Sequence, residues 1–558
     1  MEIGVSHPAP QHDGVEDDVV DKPRRSTLQF PVVGLGASAG GLAAALRFFE
    51  HLPGDPGMAF VVVFHLSPEH ESNAAAILQR ATRMPVLQVT QTLGIQPNHV
   101  YVIAPALQLA MEDGQLRVSA LQRTPGKPVA VDRFFRTLAQ AHGERAIAVV
   151  LSGTGSDGSV GLADMKREGG VTFAQSPVDA EYDGMPSAAV ATRLVDFVLP
   201  AAEIPGKLIQ IWQNARKIRL PSAKAVGLKA DEPYGARAFA KAEAAVRDVM
   251  TILQSRTGND FQHYKRATVL RRLERRMQVT ARPDVLAYRD HLERHPEETE
   301  PLLQDMLISV TSFFRDRQAF EALERELMSL LKRRPEAGVW RGWVAGCATG
   351  EEAYSLAMLI NDHATAGSSI PVQIFASDID ERALAAARKA LYPDGIVTDV
   401  PPTRLRDYFE HEAGAYRIKR VLREQITFSR HNVLRDPPFS RVDMISCRNL
   451  LIYLEREVQA QVLEVFHFAL NPGGLLFLGS AETADWLPGL FTVVDKKHRV
   501  YRANVAQRAR ADLPPLRPEA MPTVVLPLTL PAARSGGGNA FAAAWPNARA
   551  ARAGQRDR

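Results

Sequence analysis

Short apolar runs alternate with amphipathic stretches twice along this chain, from about Leu28 to Trp212 and again from Val339 to Ala503. An almost wholly helical pattern separates the two. Parallel strands need a crossover connection between them, so alternation of this kind calls for parallel sheets covered by helices on both faces. Pro31–Gly36, Met58–His65, His99–Ala104, Ala146–Leu151 and Phe197–Leu199 read as strands, with Gly41–Glu50 and Val131–Ala141 as helices between them. The expected fold class is α/β: two tandem doubly wound units, a helical subdomain before the second, and a small β insertion within it. The boundaries expected are a flexible leader at 1–28, a first unit at 29–215 and a linker at 216–235. A helical part at 236–335, a second α/β unit at 336–504 and a disordered basic tail at 505–558 complete the chain.

At 558 residues the chain exceeds what a single ordinary core supports. Its two cysteines, Cys347 and Cys447, exclude a disulfide framework and a multi-cysteine zinc site, and no metal is expected. No apolar run approaches the roughly 20 residues that cross a bilayer. The first residues are acidic and polar, unlike a signal peptide, so a cytoplasmic location is expected. The net charge is +4, and from Arg502 onward nine arginines face only Asp512, Glu519 and Asp557. This tail has no lasting periodicity and reads as a solvated disordered segment, although such a stretch can also touch nucleic acid or anionic lipid.

Two glycine-flanked strand-to-helix turns carry the chemistry. Gly36-Ala-Ser-Ala-Gly40 fits G-x-S-x-G, which exposes a serine nucleophile at the start of a helix whose positive end favours an oxyanion. Gly34-x-Gly36-x-x-Ala39 also fits a loose dinucleotide fingerprint, which wants an acid at the end of the next strand. The run Met58–His65 ends in histidine instead, the residue a serine nucleophile uses as general base. Asp157 follows the strand-like Ala146–Leu151, and loops at the carboxyl ends of parallel strands converge on one crevice. Ser38, His65 and Asp157 are therefore expected to meet. Taken singly, His65 also reads as a structural strand-end residue and Asp157 as a turn residue.

Val33-Gly-Leu-Gly-Ala-Ser-Ala-Gly-Gly41, Phe64-His-Leu-Ser-Pro68, Val131-Asp-Arg-Phe-Phe-Arg136, Leu151-Ser-Gly-Thr-Gly-Ser-Asp-Gly158 and Gly184-Met-Pro186 together resemble the chemoreceptor methylesterase family. The resemblance spans about residues 30–215 and implies Ser38 as nucleophile, His65 as base and Asp157 as orienting carboxylate. Ala39 stands where that family usually has threonine, and Thr154 where it often has methionine. Members commonly carry a phospho-acceptor receiver domain, which about 28 residues cannot build, so control by aspartyl phosphate within this chain is not expected.

The second turn, Trp343-Val-Ala-Gly-Cys-Ala-Thr-Gly-Glu-Glu352, has no Lys-Ser or Lys-Thr after Gly350 and so is not a phosphate-binding Walker loop. Its glycines allow a ligand close to the backbone. Its glutamates repel phosphates but suit a cation, and S-adenosylmethionine carries a sulfonium and an ammonium. The next strand, Val372–Asp380, ends in carboxylates, as ribose recognition requires. The alternative is an ordinary α/β turn with a capping aspartate.

Val310-Thr-Ser-Phe-Phe-Arg-Asp316, Ala345–Glu352, Ala376-Ser-Asp-Ile-Asp380, His431-Asn-Val-Leu434 and Ile445–Tyr453 resemble the chemoreceptor glutamate methyltransferase family, from about residue 240 to 503. The resemblance implies that Thr311, Arg315, Glu352, Asp378, Asn432, Val433, Cys447 and Arg448 contact S-adenosyl-L-methionine. It places Arg315 and Tyr453 near the transferred methyl group and the acceptor carboxylate, with Ser309 where the family can have asparagine. A small antiparallel sheet inserted between Leu391 and Thr427 can grip a receptor-tail peptide in that family; here the stretch also reads as a capping hairpin. The basic run Tyr264–Arg276 reads as a nucleic-acid contact, a face for an acidic receptor helix, or a solvated face; no nucleic acid is expected as a partner.

Together these resemblances imply a bifunctional enzyme. It would methylate glutamates of methyl-accepting receptors, hydrolyse the resulting methyl esters and deamidate glutamine. Its expected partners are the receptor's cytoplasmic domain and a separate response regulator or kinase. The competing expectation is a signalling scaffold or sensor with one or both sites inactive.

Overall fold

Residues 25–65, 72–120, 129–218, 220, 233–307, 309–332, 338–363, 371–412 and 414–505 are described by a computed structural model of the chain. The expected leader up to residue 24, most of the linker and the basic tail lie outside the described residues. The last leader residues do not hang free: Ser26 is buried and donates its amide to Ala141 O at 2.7 Å.

The N-terminal half contributes β1 (Val32–Ala37), β2 (Ala59–Phe64), β3 (Val86–Val89), β4 (Leu93–Gly94) and β5 (His99–Ile103). It continues with β6 (Leu107–Glu112), β7 (Gln115–Ala120), β8 (Ala146–Val150), β9 (Val171–Gln175) and β10 (Phe197–Leu199). Seven of these form a parallel sheet in the order β10-β9-β8-β1-β2-β5-β3. Every residue of β1, β2 and β8 is buried, which is why these strands read as continuous apolar runs rather than alternating ones. β4, β7 and β6 form a separate small sheet that the sequence reading missed. Its signal was present: Asp113-Gly114 is a two-residue hairpin turn with both φ angles positive, at 46° and 75°.

The helices Pro233–Thr257, Arg266–Val279, Val285–Arg294, Thr299–Leu307 and Arg317–Lys332 follow. The C-terminal half then contributes β11 (Trp340–Ala345), β12 (Val372–Asp378), β13 (Leu391–Pro393), β14 (Phe409–Glu412) and β15 (Ala415–Ile418). β16 (Ile426–Arg430), β17 (Val442–Cys447), β18 (Leu470–Leu478), β19 (Phe491–Asp495) and β20 (Val500–Ala503) complete it. The main sheet runs β16-β12-β11-β17-β18-β20-β19, parallel as far as β18 and antiparallel at β20 and β19. The insertion is present as the antiparallel sheet β13-β15-β14.

The basic run is solvated only at its start, where Lys265 and Arg266 are exposed; the later arginines of the helix Arg266–Val279 match none of the three readings of its sequence. Arg272, Arg275 and Arg276 are buried, and they join the two α/β halves and the helical segment. Arg275 binds Asp196 of the N-terminal half at 2.6 Å and also Asp305, while Lys166 binds Asp196 at 2.7 Å and Asp305 at 3.4 Å. Arg272 donates to the carbonyls of Lys166 and Arg167, and Arg275 to that of Gly170. A second seam pairs Arg136 with both oxygens of Asp399, at 3.0 and 3.3 Å.

Burial alone would raise the Asp196 carboxyl, yet Arg275 and Lys166 hold it well below the ordinary carboxylate range. A depressed carboxylate adds stability that is complete above the unfolded value near 3.9 and lost in stronger acid. Asp196→Ala leaves Arg275 and Lys166 to share Asp305 alone, a buried excess of positive charge, and is expected to cost about 3–5 kcal/mol. The check is the urea midpoint of the full chain at neutral pH.

Candidate active sites

At the first site, the pairing of Ala37 with Phe64 ends the β1–β2 ladder, so Ser38 and His65 leave adjacent strands side by side. β8 flanks β1 on the other side and leads into the loop that carries Asp157. His65 Nε2 lies 2.6 Å from Asp157 Oδ2. With that nitrogen donating to the carboxylate, Nδ1 keeps the lone pair available to a hydroxyl.

Asp157 is itself held by the start of the helix Ala130–His142. The Val131 amide donates to Oδ2 at 3.0 Å, and the Asp132 and Gly158 amides donate to Oδ1 at 2.9 Å each. A carboxylate at a helix N-terminus is favoured by both the free amides and the dipole. Gly36 makes this approach possible, because a Cβ there would lie 2.1 Å from Val131 Cγ1. This glycine therefore brings in the helix that orients Asp157, rather than merely relieving crowding around the serine.

The Ser38 amide is spent on Ser152 O at 3.0 Å and so is not an oxyanion donor. Among the described residues the Ala39 amide has no partner, which suits that role and explains why alanine serves where a backbone donor is all that is needed. Ser38 and His65 follow the ends of paired strands, and among the described residues no hydrogen bond joins their side chains.

At the second site, a cavity opens at the carboxyl ends of β11, β12 and β17. Thr311, Arg315, Glu352, Asp378, Asn432, Val433, Arg448 and Tyr453 all line it. Cys447 does not: it ends β17 with its side chain in the hydrophobic core, because alternation along the strand turns Ser446 and Cys447 to opposite faces. Ser446 instead donates to Glu352 Oε1 at 2.6 Å. Gly346 lines the cavity, but Gly350 serves packing, since a Cβ there would lie 2.9 Å from Ala387 Cβ and its φ is +95°.

Asp378 accepts from the Ala348 amide at 2.8 Å and the Asp380 amide at 3.0 Å. Asp380 caps the helix Glu381–Lys389 and accepts from Ser309 Oγ at 2.7 Å, so Ser309 fixes the cavity wall. Arg448, nearly fully buried, pairs with Glu352 at 3.3 Å and Asp316 at 2.8 Å and donates to Arg315 O at 2.8 Å. It acts as a scaffold beneath Glu352 and Arg315. The residues on either side of Arg315, Phe314 and Asp316, have φ of +47° and +62°, a local strain that the Arg448 contacts sustain. Arg315 itself is half-buried, and its guanidinium forms no hydrogen bond or ion pair with a described residue.

Tyr453 stacks on Tyr264 at 6.5 Å, and the Tyr453 carbonyl accepts from the Lys265 amide at 2.7 Å. Buried Glu482 accepts from the amides of Asn449 and Ile452 and so shapes the turn that leads to Tyr453. Sequence reading missed Glu482, Tyr264 and, from the N-terminal half, Arg167, which also lines this cavity. Their positions depend on contacts distant in the chain, for which no local pattern exists.

Residues 309–500 match the family model of the CheR methyltransferase, SAM binding domain, and 244–307 that of its all-alpha domain. Residues 33–208 match the CheB methylesterase model. A putative methyltransferase Cher3 of Pseudomonas putida is 32% identical over 253 residues, 44% of this chain and 90% of its own length. The chain belongs to the chemotaxis methyltransferase family, with a methylesterase domain fused ahead of it. The chemotaxis protein methyltransferase of Escherichia coli is 31% identical over 46% of this chain and 90% of its own length. An uncharacterised 104.1 kDa protein of Rhodobacter capsulatus is 38% identical over 440 residues, 77% of this chain, and the chain covers 46% of that protein.

The methyltransferase cavity fits S-adenosylmethionine as methyl donor: its polar floor is carboxylate, at Glu352 and Asp378, and no lysine lines it among the described residues. Burial pushes the Asp378 carboxyl up to about 6. The ionised form favours a cationic ligand, so affinity is expected to stay level above about pH 7 and to fall towards tenfold per unit below about pH 6. Calorimetric titration of S-adenosylmethionine across that range provides the check.

Proposed function

We propose that this chain both writes and erases methyl esters on glutamate side chains of methyl-accepting receptors, acting on their cytoplasmic domains. The observation that carries this reading is the pairing of an oriented His65–Asp157 couple beside Ser38 with a carboxylate-floored cavity whose wall bears Arg315, a guanidinium without a partner among the described residues. Among the described residues no helix is long and apolar enough to cross a membrane, and a cytoplasmic enzyme is the matching location.

In the transferase cavity, Glu352, Asp378, Asn432 and Val433 hold the donor, which supplies a methyl group on a sulfonium. The acceptor glutamate is already ionised at neutral pH, so the site needs no strong base. Arg315 grips the carboxylate with its guanidinium fork, and Tyr453 closes the other side, which leaves in-line placement as the main contribution of the protein.

In the esterase site, Ser38 Oγ attacks the ester carbonyl as His65 takes its proton, while Asp157 holds the imidazole. Methanol leaves with the proton returned by His65, and water then releases the free carboxylate from the acyl-enzyme. The same route with ammonia as leaving group deamidates glutamine. The scaffold reading requires a missing reacting group, and Ser38, His65, Asp157, Arg315 and Tyr453 are all present. A separate response regulator or kinase is the further partner.

The test is transfer of labelled methyl from S-adenosylmethionine to receptor-enriched membranes, by the wild type and by Ser38→Ala. More label is expected to remain on the membranes with the variant. Equal turnover in both would remove the esterase half of the proposal.

A further inference from the structure

The esterase and transferase halves also meet beside the support of Asp157. Asp132, at the start of the helix Ala130–His142, donates its amide to Asp157 Oδ1 at 2.9 Å, and its own Oδ1 accepts from the Gly161 amide at 2.6 Å. Its Oδ2 is buried and accepts from no described donor. The cover over that oxygen comes from the transferase half. A Cβ on Gly395, in the short helical turn Asp394–Thr398, would lie 2.7 Å from Asp132 Oδ2 and 2.7 Å from Val160 Cγ2. Asp399 fastens the end of this turn, taking both Nη atoms of Arg136, one helical turn beyond Asp132, at 3.0 and 3.3 Å. Arg136 Nε donates to Asp164 at 3.2 Å, and Asp394 pairs with His411 at 2.8 Å. The charged groups around Asp132 are therefore Asp157, Arg136 with its partners Asp164 and Asp399, and Asp394 beside Gly395.

We propose that the transferase half completes the esterase site: Gly395 seals the seat of Asp132, and Asp132 is the positioning residue that holds the helix start on which Asp157 rests. The inference rests on the esterase reading of Ser38, His65 and Asp157. A dry seat suits a neutral carboxyl, and burial, followed by the neighbouring Asp157, pushes the Asp132 carboxyl well above its ordinary range. In its neutral form Asp132 is a hydrogen-bond donor towards Asp157 and leaves that residue the only negative charge at the helix start. Any side chain at position 395 must displace Asp132 or Val160, which admits water to the carboxyl and favours its ionisation. A second carboxylate beside the His65–Asp157 couple then retains the imidazole proton, so the general base is lost at a higher pH.

The experiment follows methanol release from a premethylated receptor preparation by the full chain as a function of pH, alongside methyl transfer to receptor-enriched membranes. Gly395→Ala is expected to lower kcat for ester hydrolysis about tenfold and to move the acid limb of the rate profile up by about half a unit to one unit. Methyl transfer and the calorimetric Kd for S-adenosylmethionine should stay within about twofold. In Gly395→Ala with Asp132→Asn the seat holds a neutral donor that cannot ionise, and the limb should return to its wild-type position. Asp399→Ala unfastens the turn without adding bulk and frees Arg136 to favour a charged Asp132, so it should move the limb in the same direction. An unmoved profile in both Gly395→Ala and Asp399→Ala, with the wild type hydrolysing ester, overturns this inference and leaves the proposed function intact. A parallel loss of hydrolysis, methyl transfer and urea midpoint, with the limb in place, would reduce the contact to a structural seam and overturn it as well. Absence of any hydrolysis by the wild type would overturn the underlying function first.

Discussion

Ser38→Ala is expected to lower ester hydrolysis by roughly 10⁴–10⁶-fold, with methyl transfer unaffected. The serine lies just past the end of the central strand, and its neighbours are arranged around it: His65 just after β2 to one side, Asp157 after β8 to the other. Losing the nucleophile leaves only the oxyanion donors and substrate binding, so the residual rate is small. Asp157→Asn is a sharper probe of how the site is built. The carboxylate accepts from the Val131, Asp132 and Gly158 amides as well as from His65. An amide in its place must turn an NH₂ group towards one of those donors, losing an acceptor and the imidazole orientation together. The loss expected is about 10³–10⁴-fold, with some loss of stability as well. The measurement is release of methanol from a premethylated receptor preparation, and retention of more than a tenth of wild-type activity by either variant would contradict the triad.

Arg315→Ala is expected to reduce kcat/KM for methyl transfer by about 10²–10³-fold. The argument is geometric. Arg315 is flanked by two residues with left-handed backbone conformation, its carbonyl is held by Arg448, and its own guanidinium has no partner among the described residues. Strain of about 1–3 kcal/mol per such residue persists only where surrounding contacts over-determine it. Here they fix an arginine at the cavity wall. Removing the side chain leaves donor binding to Glu352 and Asp378, so the Kd for S-adenosylmethionine should change little. A variant that still transfers methyl at near wild-type rate would show that another group holds the acceptor.

Much of the fold and of both sites was legible in the sequence, for identifiable reasons. β1, β2, β5 and β8 appear within a residue or two of their expected positions, because strands buried on both faces leave continuous apolar runs. Ser38, His65 and Asp157 were recoverable because each stands at the carboxyl end of a parallel strand, and such ends converge. The hairpin of β6 and β7 went unread despite its Asp113-Gly114 turn, because a short antiparallel pair has no place in an alternation of parallel strands and helices. The sequence pattern of Arg266–Val279 could not disclose its role. Periodicity reports that one helix face is charged, but Arg275 finds its partner Asp196 seventy-nine residues away, beyond any local signal. Arg167 was unreadable for the same reason, as its environment is made by the other domain. Cys447 was assigned to the ligand by resemblance, whereas strand alternation places its side chain in the core.

On the proposed function, the joining of the two domains in one chain, packed through the buried cluster of Lys166, Asp196, Arg275 and Asp305, has a consequence for how the methyl mark is set. Enzymes made as separate chains can be supplied in different amounts, and the balance between adding and removing a mark can then be tuned by gene expression. Here the two catalysts are welded in a ratio of one to one, and making more of the chain accelerates both arms equally. The steady level of the mark therefore becomes independent of enzyme concentration and answers only to what changes one activity relative to the other, such as the conformation of the substrate. Copy-number noise shortens or lengthens the time to reach that level without moving it.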